Sequence, residues 1–271
     1  MVKRPVHALQ GQIFSTDKKV NILITNDDGI HSTGLYRLKQ ALEQIATVLV
    51  VAPDTEQSAV GHAITISDPL RVFPVEKDNR FFGYAVNGTP ADCVKLGVKC
   101  LMETKTDLVV SGINLGPNTG TNIIYSGTVS AAAEAVIMGI PGLALSIASF
   151  HIQEYEFTCR LAVDLAQKIF EHGLRPGTLL NVNVPPVKSE EIKGIVITRQ
   201  GQARFEEFFD KRVDPTNRVY YWLTGKRLDL DKEDDLDDVV VQQKKVSITP
   251  IRYDLTDMTM VRELKNWGIE R

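Results

Sequence analysis

The chain is poor in cysteine. Cys93, Cys100 and Cys159 make an odd number with no CxxC spacing, which excludes a disulfide framework and a zinc site and leaves three small buried apolar residues. No apolar run approaches the roughly 20 residues of a membrane span, and the opening MVKRPVHALQGQIF lacks the continuous apolar stretch of a signal peptide. A cytoplasmic protein with no membrane partner is therefore expected. Positive charge is not in excess either: 31 Lys and Arg face 34 Asp and Glu, for a net charge of −3, so there is no basic surface for a nucleic-acid polymer. A small anionic partner then has to meet a local positive feature, such as a metal or a helix N-terminus. Familiar phosphate and nucleophile signatures are missing as well. No GxGxxG follows a strand, and GINLGPNTG carries no Lys followed by Ser or Thr, which excludes a dinucleotide fingerprint and a P-loop. Ser126 lies in IYSGT rather than GxSxG, and the carboxylates of TNDDG are not spaced as DxD, which argues against a serine nucleophile elbow and an aspartyl-phosphate.

What is present is an ordinary globular composition, 43% hydrophobic and 24% charged over 271 residues, enough for one large α/β domain with an extension. From residue 20 to about 184, short runs rich in β-branched residues alternate with helical periodicity, the signature of a mostly parallel sheet covered by helices. The strands read VNILIT, TVLVVAP, FFGYAV, DLVVSGI, GLALSI and TLLNVNV, and their near-continuous hydrophobicity argues for burial on both faces. Leu35, Leu38, Leu42 and Ile45 give one apolar helical face, and Val129, Ala132, Ala133, Val136 and Ile137 another. A third helix opens at TPAD with Thr89 as N-cap and Pro90 at the first position; Cys93 and Cys100, seven apart, are expected on its core face. Beyond residue 185 the pattern changes. PPVKSEE breaks the chain, and GIVITR, RVYYWLTG and VSITPI read as strands without intervening helices, an antiparallel excursion. The acidic run DLDKEDDLDD, ending at residue 238, lacks the glycine and glutamate of a calcium loop and reads as a solvated loop. MTMVRELKNWGIER reads as a short terminal helix.

The candidate chemistry lies just beyond strand ends, where doubly wound sheets bind ligands. TNDDG puts Asp27 and Asp28 in a glycine-terminated turn, where two carboxylates can converge on a hard divalent cation; equally, one Asp can cap a helix. In the next such loop, Ser58 offers a neutral hydroxyl and His62 a candidate acid or base, against the plainer readings of a turn residue and a hydrogen-bonded histidine. The most informative stretch is SGINLGPNTGTNIIYSGTVSAAAEA. Here Asn114 can give a metal its amide oxygen, Asn118 can donate through its NH₂ group, and Ser126, Gly127 and Thr128 open a helix whose N–H groups favour phosphate.

Taken together, ILITNDDGIHSTGL, VVAPDTEQSAVG, NGTPADCV, DLVVSGINLGPNTGTNIIYSGTVSAAAEA with GIPGLALS, and later LNVNVP, TRQG, YYWLTG and SITP, closely resemble the SurE family of bacterial and archaeal nucleotidases. The resemblance spans about residues 20 to 256. It implies a Rossmann-like core with helices on both faces of the sheet, followed by a C-terminal antiparallel arm and terminal helix exchanged between subunits. On that basis residues 1–18 form a lead-in, 19–185 the catalytic core, and 186–271 an oligomerisation segment. By matching position, Asp27, Asp28, Ser58 and Asn114 resemble the ligands of one divalent metal ion per subunit, Mg²⁺ or Mn²⁺, while Asn118 and Ser126 to Thr128 line the phosphate site. The implied activity is hydrolysis of nucleoside 5′- and 3′-monophosphates, with some breadth toward other phosphate esters and short polyphosphate, by a homodimer or homotetramer. Phe205, Phe208, Phe209, Tyr220, Tyr221 and Trp222 are expected at a subunit interface rather than at the substrate mouth.

Overall fold

The computed structural model describes residues 20–151, 154–228 and 232–269, so the lead-in of residues 1–18 lies outside the described residues. In chain order the elements are β1 (Asn21–Thr25), α1 (Thr33–Leu42), β2 (Thr47–Pro53), β3 (Val72–Lys77), β4 (Arg80–Val86), α2 (Pro90–Leu96), β5 (Leu108–Leu115), α3 (Gly127–Ile137), β6 (Gly142–Ile147), α4 (Glu156–His172) and β7 (Thr178–Val184). There follow β8 (Ile195–Ile197), β9 (Arg204–Val213), β10 (Val219–Leu228), α5 (Asp237–Gln242), β11 (Val246–Arg252) and α6 (Met258–Lys265).

The apolar strands assemble as a nine-stranded sheet in the order β3-β4-β2-β1-β5-β6-β7-β11-β8. Strands β4 through β7 in that order are parallel to their neighbours, β3 and β11 pair antiparallel to β4 and β7, and β8 runs parallel to β11. Ile22, Leu23 and Ile24 of β1 are wholly buried, as a central parallel strand covered on both faces requires. Helices α1 and α4 pack together on one face and α2 and α3 on the other. The α/β class, the parallel sheet with helices on both faces and the terminal helix are found, but of the expected antiparallel excursion only RVYYWLTG lies in the separate β9–β10 arm, since GIVITR (β8) and VSITPI (β11) join the main sheet.

Local chemistry explains the helix starts. The Ser32 hydroxyl accepts the Leu35 N–H (3.2 Å) at the head of α1. Thr89 and Asp92 form a reciprocal capping box at α2, with Pro90 at its start. The sequence gives α3 one apolar face, yet nearly its whole circumference is buried: Val129, Ala132 and Val136 meet β6 and β7, while Ala131 and Ala135 meet α2. Its alanines let it wedge between the sheet and a neighbouring helix. Ile137, at its end, is half-exposed.

Four expectations need correction. Cys93 is buried but Cys100 is exposed, because α2 runs into a π-turn over Gly97–Leu101 whose wider winding swings position 100 off the core face. Strand β3 is absent from the sequence reading: Pro74 and a half-exposed pattern disguise an edge strand that turns into β4 through Asp78 and Asn79, both at positive φ. The late strands are not free of helix, since α5 precedes β11. The acidic run is not a solvated loop at its end, since Asp237 (0% exposed) and Asp238 (1%) are buried at the start of α5.

The Asp92 carboxylate also accepts from the Thr65 N–H (3.0 Å) and hydroxyl (2.6 Å), and thereby pins the loop after β2 to α2. Burial pushes this carboxyl up, but bonds from Thr65 and Thr89 outweigh it and hold it below its ordinary value. Its stabilisation is therefore present above the unfolded carboxylate range and lost as pH falls through the lowered folded value. Asp92→Asn should destabilise the protein by about 1–2 kcal/mol near pH 7 in urea unfolding, and the gap to wild type should close toward pH 3.

Candidate active site

The chain steps outward from β1 through β2 to β4, then returns to lay β5 on the other side of β1. This reversal between β1 and β5 is the topological switch point, where the loops at the carboxyl ends part and leave a crevice. Asp27 and Asp28 follow β1, Ser58 lies in the loop after β2, and Asn114 ends β5, so three adjacent strands deliver all four to one edge of the sheet.

Asp27 is the most tightly built of them, at 7% exposure. Its Oδ1 accepts from the Thr128 hydroxyl (2.5 Å) and its Oδ2 from the Thr128 N–H (3.2 Å), so the carboxylate lies on the N-terminus of α3. The helix that Asp27 engages is α3 and not the next one in the chain, α1, which Ser32 caps. Gly127 makes this approach possible: a Cβ at 127 would stand 2.9 Å from the Asp27 Cβ and 3.2 Å from Pro90. Burial raises the Asp27 carboxyl above its ordinary value despite the Thr128 bonds. Asp28 is pushed up to about 7 by burial, then by the charge of Asp27, then by that of Glu56.

The remaining residues are held by short local contacts. The Gln57 N–H donates to the Asp27 carbonyl (2.8 Å), tying the Ser58 loop to β1, and the Ser58 hydroxyl donates to Glu56. Asn114 spends its Nδ2 on the Gly116 carbonyl (2.8 Å), which leaves its amide oxygen for another partner. Asn118 is buried; its Nδ2 donates to Ser146 Oγ (2.8 Å), and its carbonyl accepts from both Asn181 (2.8 Å) and Asn183 (3.0 Å). Ser126 N-caps α3 by accepting the Val129 N–H (3.1 Å), so its oxygen is engaged, while the Gly127 N–H at the first helical position has no intrahelical acceptor. His62 lies against the buried Glu134 (2.9 Å), which also takes Lys95 (2.6 Å); this fastens the Ser58 loop to α3 and α2.

Sequence reasoning missed Glu56 and Glu134, both inconspicuous charges in polar or helical context. It also missed that Thr128 serves Asp27 directly, although the TNDDG and SGT stretches lie at facing loops of adjacent strands.

Whether these residues suit a metal is decided by their donor set. Among the described residues no three of His, Cys, Asp and Glu gather at metal-binding spacing. A buried carboxylate, a partly buried one that it raises, and the neutral oxygens of Ser58 and Asn114 at neighbouring strand ends are hard oxygen donors of the kind Mg²⁺ and Mn²⁺ take, and no ion pair to Asp27 or Asp28 occurs among the described residues. The residues fit a divalent cation.

A family model described as survival protein SurE matches residues 22–207. The chain belongs to the SurE family. Within it, the 5′-nucleotidase SurE of Syntrophobacter fumaroxidans is 48% identical over 250 residues, covering 92% of this chain and 100% of that protein. The 5′-nucleotidase SurE of Syntrophus aciditrophicus is 49% identical over 244 residues, covering 90% and 92% respectively. The crystal structure of the SurE protein from Aquifex aeolicus superposes with a TM-score of 0.79 at 41% identity, over 91% of this chain and 99% of that one.

The raised Asp28 carboxyl has a thermodynamic consequence. A folded value of about 7 lies above the unfolded one near 4, so the penalty for keeping it folded is absent below pH 4, grows between the two, and is complete above 7. In metal-stripped protein at pH 8, Asp28→Asn should raise stability by roughly 1–4 kcal/mol, with no gain at pH 4; saturating Mn²⁺ should erase the gain by stabilising wild type alone. Calorimetric melting at the two pH values, with and without metal, checks this.

Proposed function

We propose that this SurE-family chain is a divalent-metal-dependent phosphomonoesterase that hydrolyses nucleoside 5′-monophosphates to nucleoside and phosphate. The observation that carries the proposal is the pair of adjacent carboxylates at the switch point: Asp27, buried against the N-terminus of α3, and Asp28, partly buried and raised by burial and by the charge of Asp27. The 5′-nucleotidase names borne by the relatives support the substrate class. Hydrolysis of 3′-monophosphates, other phosphate esters and short polyphosphate follows from a site that grips the phosphoryl group rather than the sugar.

Asp27, Asp28, Ser58 and Asn114 would hold one Mg²⁺ or Mn²⁺ per subunit, which when bound supplies Lewis-acid neutralisation of phosphoryl charge. The chain's own residues do the rest. The Gly127 N–H and the dipole of α3 attract the phosphate oxygens, and Asn118, with the second hydrogen of its Nδ2, and the Ser126 to Thr128 turn line that pocket. Since charge on those oxygens changes as the ester bond breaks, fixed donors favour the transition state without having to reorganise. Asp28 can accept a proton from an attacking water when it enters the reaction ionised. Ser126, its oxygen committed to capping, is a binding residue and not a nucleophile.

Residues 19–185 carry this chemistry, and residues 186–271 serve assembly as a homodimer or homotetramer. Support comes from the β9–β10 hairpin, which stands apart from the main sheet with Phe208, Phe209, Tyr221 and Trp222 more than half exposed and Tyr220 also exposed; the Phe205 side chain lies outside the described residues.

Phosphate release from AMP should vanish on chelation and return with Mn²⁺ or Mg²⁺, and Asp27→Asn should cost on the order of 10²-fold or more in kcat. Equal activity in stripped protein, or an active Asp27→Asn, would remove the metal site from the mechanism. Rates on 3′-AMP and polyphosphate measure the breadth.

A further inference from the structure

Asp237 and Asp238 are buried, lie outside the crevice, and take no part in the mechanism above. A buried carboxylate is costly unless hydrogen bonds meet it. For Asp237 they come from two distant places. Its Oδ2 accepts the Gly120 N–H (3.0 Å) in the loop between β5 and α3, and its Oδ1 accepts the Gly201 N–H (2.9 Å) at the base of the β9–β10 arm as well as the Asp238 N–H (2.9 Å). Asp238 reinforces the link by accepting the Thr119 hydroxyl (3.2 Å).

Gly120 is thus held from both sides of its backbone, because its carbonyl accepts from Gln200 Nε2 (2.8 Å). Its φ of +57° suits glycine, and a Cβ there would stand 2.4 Å from the Ala203 carbonyl. That same carbonyl accepts the Thr121 N–H (3.1 Å). The phosphate loop therefore has three moorings. Asn181 and Asn183 of β7 grip it at Asn118, α3 takes over at Ser126, and its middle is tied to residues 200–203 and 237–238.

We propose that Asp237 is a positioning residue for phosphate-ester hydrolysis: by clipping Gly120 to Gly201 it sets where the span between Asn118 and Ser126 lies over the crevice. The proposal rests on the phosphomonoesterase reading. The clip touches neither Asp27, Asp28, Ser58 nor Asn114, so it acts on the placement of the phosphoryl group and leaves metal binding alone. Transition-state placement is the sensitive quantity, since a displacement of about 1 Å can reduce turnover about 100-fold.

The test uses the full-length, Mn²⁺-loaded protein with AMP, and follows kcat, KM, Mn²⁺ affinity by titration calorimetry, and melting temperature. Asp237→Asn keeps the shape but replaces one acceptor oxygen with an NH₂ group that opposes an N–H. It should lower kcat by roughly 10- to 100-fold while Mn²⁺ affinity stays within about 2-fold and the protein remains folded at the assay temperature. Gln200→Ala, which frees the other side of Gly120, should lower kcat in the same direction by less. A kcat within about 2-fold of wild type in both variants overturns the proposal, as does a loss of kcat matched by an equal loss of Mn²⁺ sites, the mark of a merely unfolded fraction. Should Asp237→Asn fail to fold, Gln200→Ala decides: reduced kcat at unchanged Mn²⁺ affinity supports the clip, and wild-type kcat refutes it. A wild type without turnover refutes the phosphomonoesterase reading and the positioning role with it, whereas turnover retained in both variants refutes the positioning role alone.

Discussion

The contact on which the crevice depends is the seating of the Asp27 carboxylate on the first turn of α3. Two bonds from one residue, the Thr128 hydroxyl and N–H, hold a carboxylate that burial keeps above its ordinary value. The helix terminus supplies the partial positive charge and the strand end supplies the anion, so each satisfies a need of the other. Because β1 is an interior strand and α3 is buried on nearly every side, neither partner is free to retreat. The second carboxylate, Asp28, is left without such relief and stands well above its ordinary value.

Around that contact, the polar loops are fixed by carboxylates and a carboxamide rather than by apolar packing. Asp92 holds Thr65 and Thr89, Glu134 holds His62 and Lys95, and Asn183 holds the backbone of Asn118. Loops rich in glycine and asparagine have little side-chain volume with which to pack, and buried charge-assisted hydrogen bonds take the place of a core. Each anchor lies on a helix or strand of the rigid scaffold, which is what a site with narrow geometric tolerance needs.

Much of this was legible in the sequence wherever the physics is local. Runs such as NILIT and GLALSI announce buried strands by composition, TPAD announces a helix start by its capping chemistry, and TNDDG and SGINLGPNTG stand out as polar loops at strand ends. What escaped depends on contacts between distant residues. Asp237 looks like part of a solvated acidic run until Gly120, far away in sequence, is seen to donate to it. Cys100 keeps helical spacing from Cys93, and only the π-turn reveals that it faces outward. The single apolar face read for α3 underestimates its burial because alanine is counted weakly by hydrophobicity but packs closely against both neighbours.

The order of the sheet also bears on how the molecule is made. Strand β11 lies between β7 and β8, so β8 emerges from the ribosome with no neighbour to join and waits until residues 246–252 have followed. Asp237 arrives just before them. A nascent chain that has already folded its central strands and carries Asp27, Asp28, Ser58 and Asn114 still has the middle of its phosphate loop unmoored. Completion of the sheet and completion of that loop are thus late and nearly simultaneous events in synthesis, and unfinished chains would hold those four residues without the finished loop.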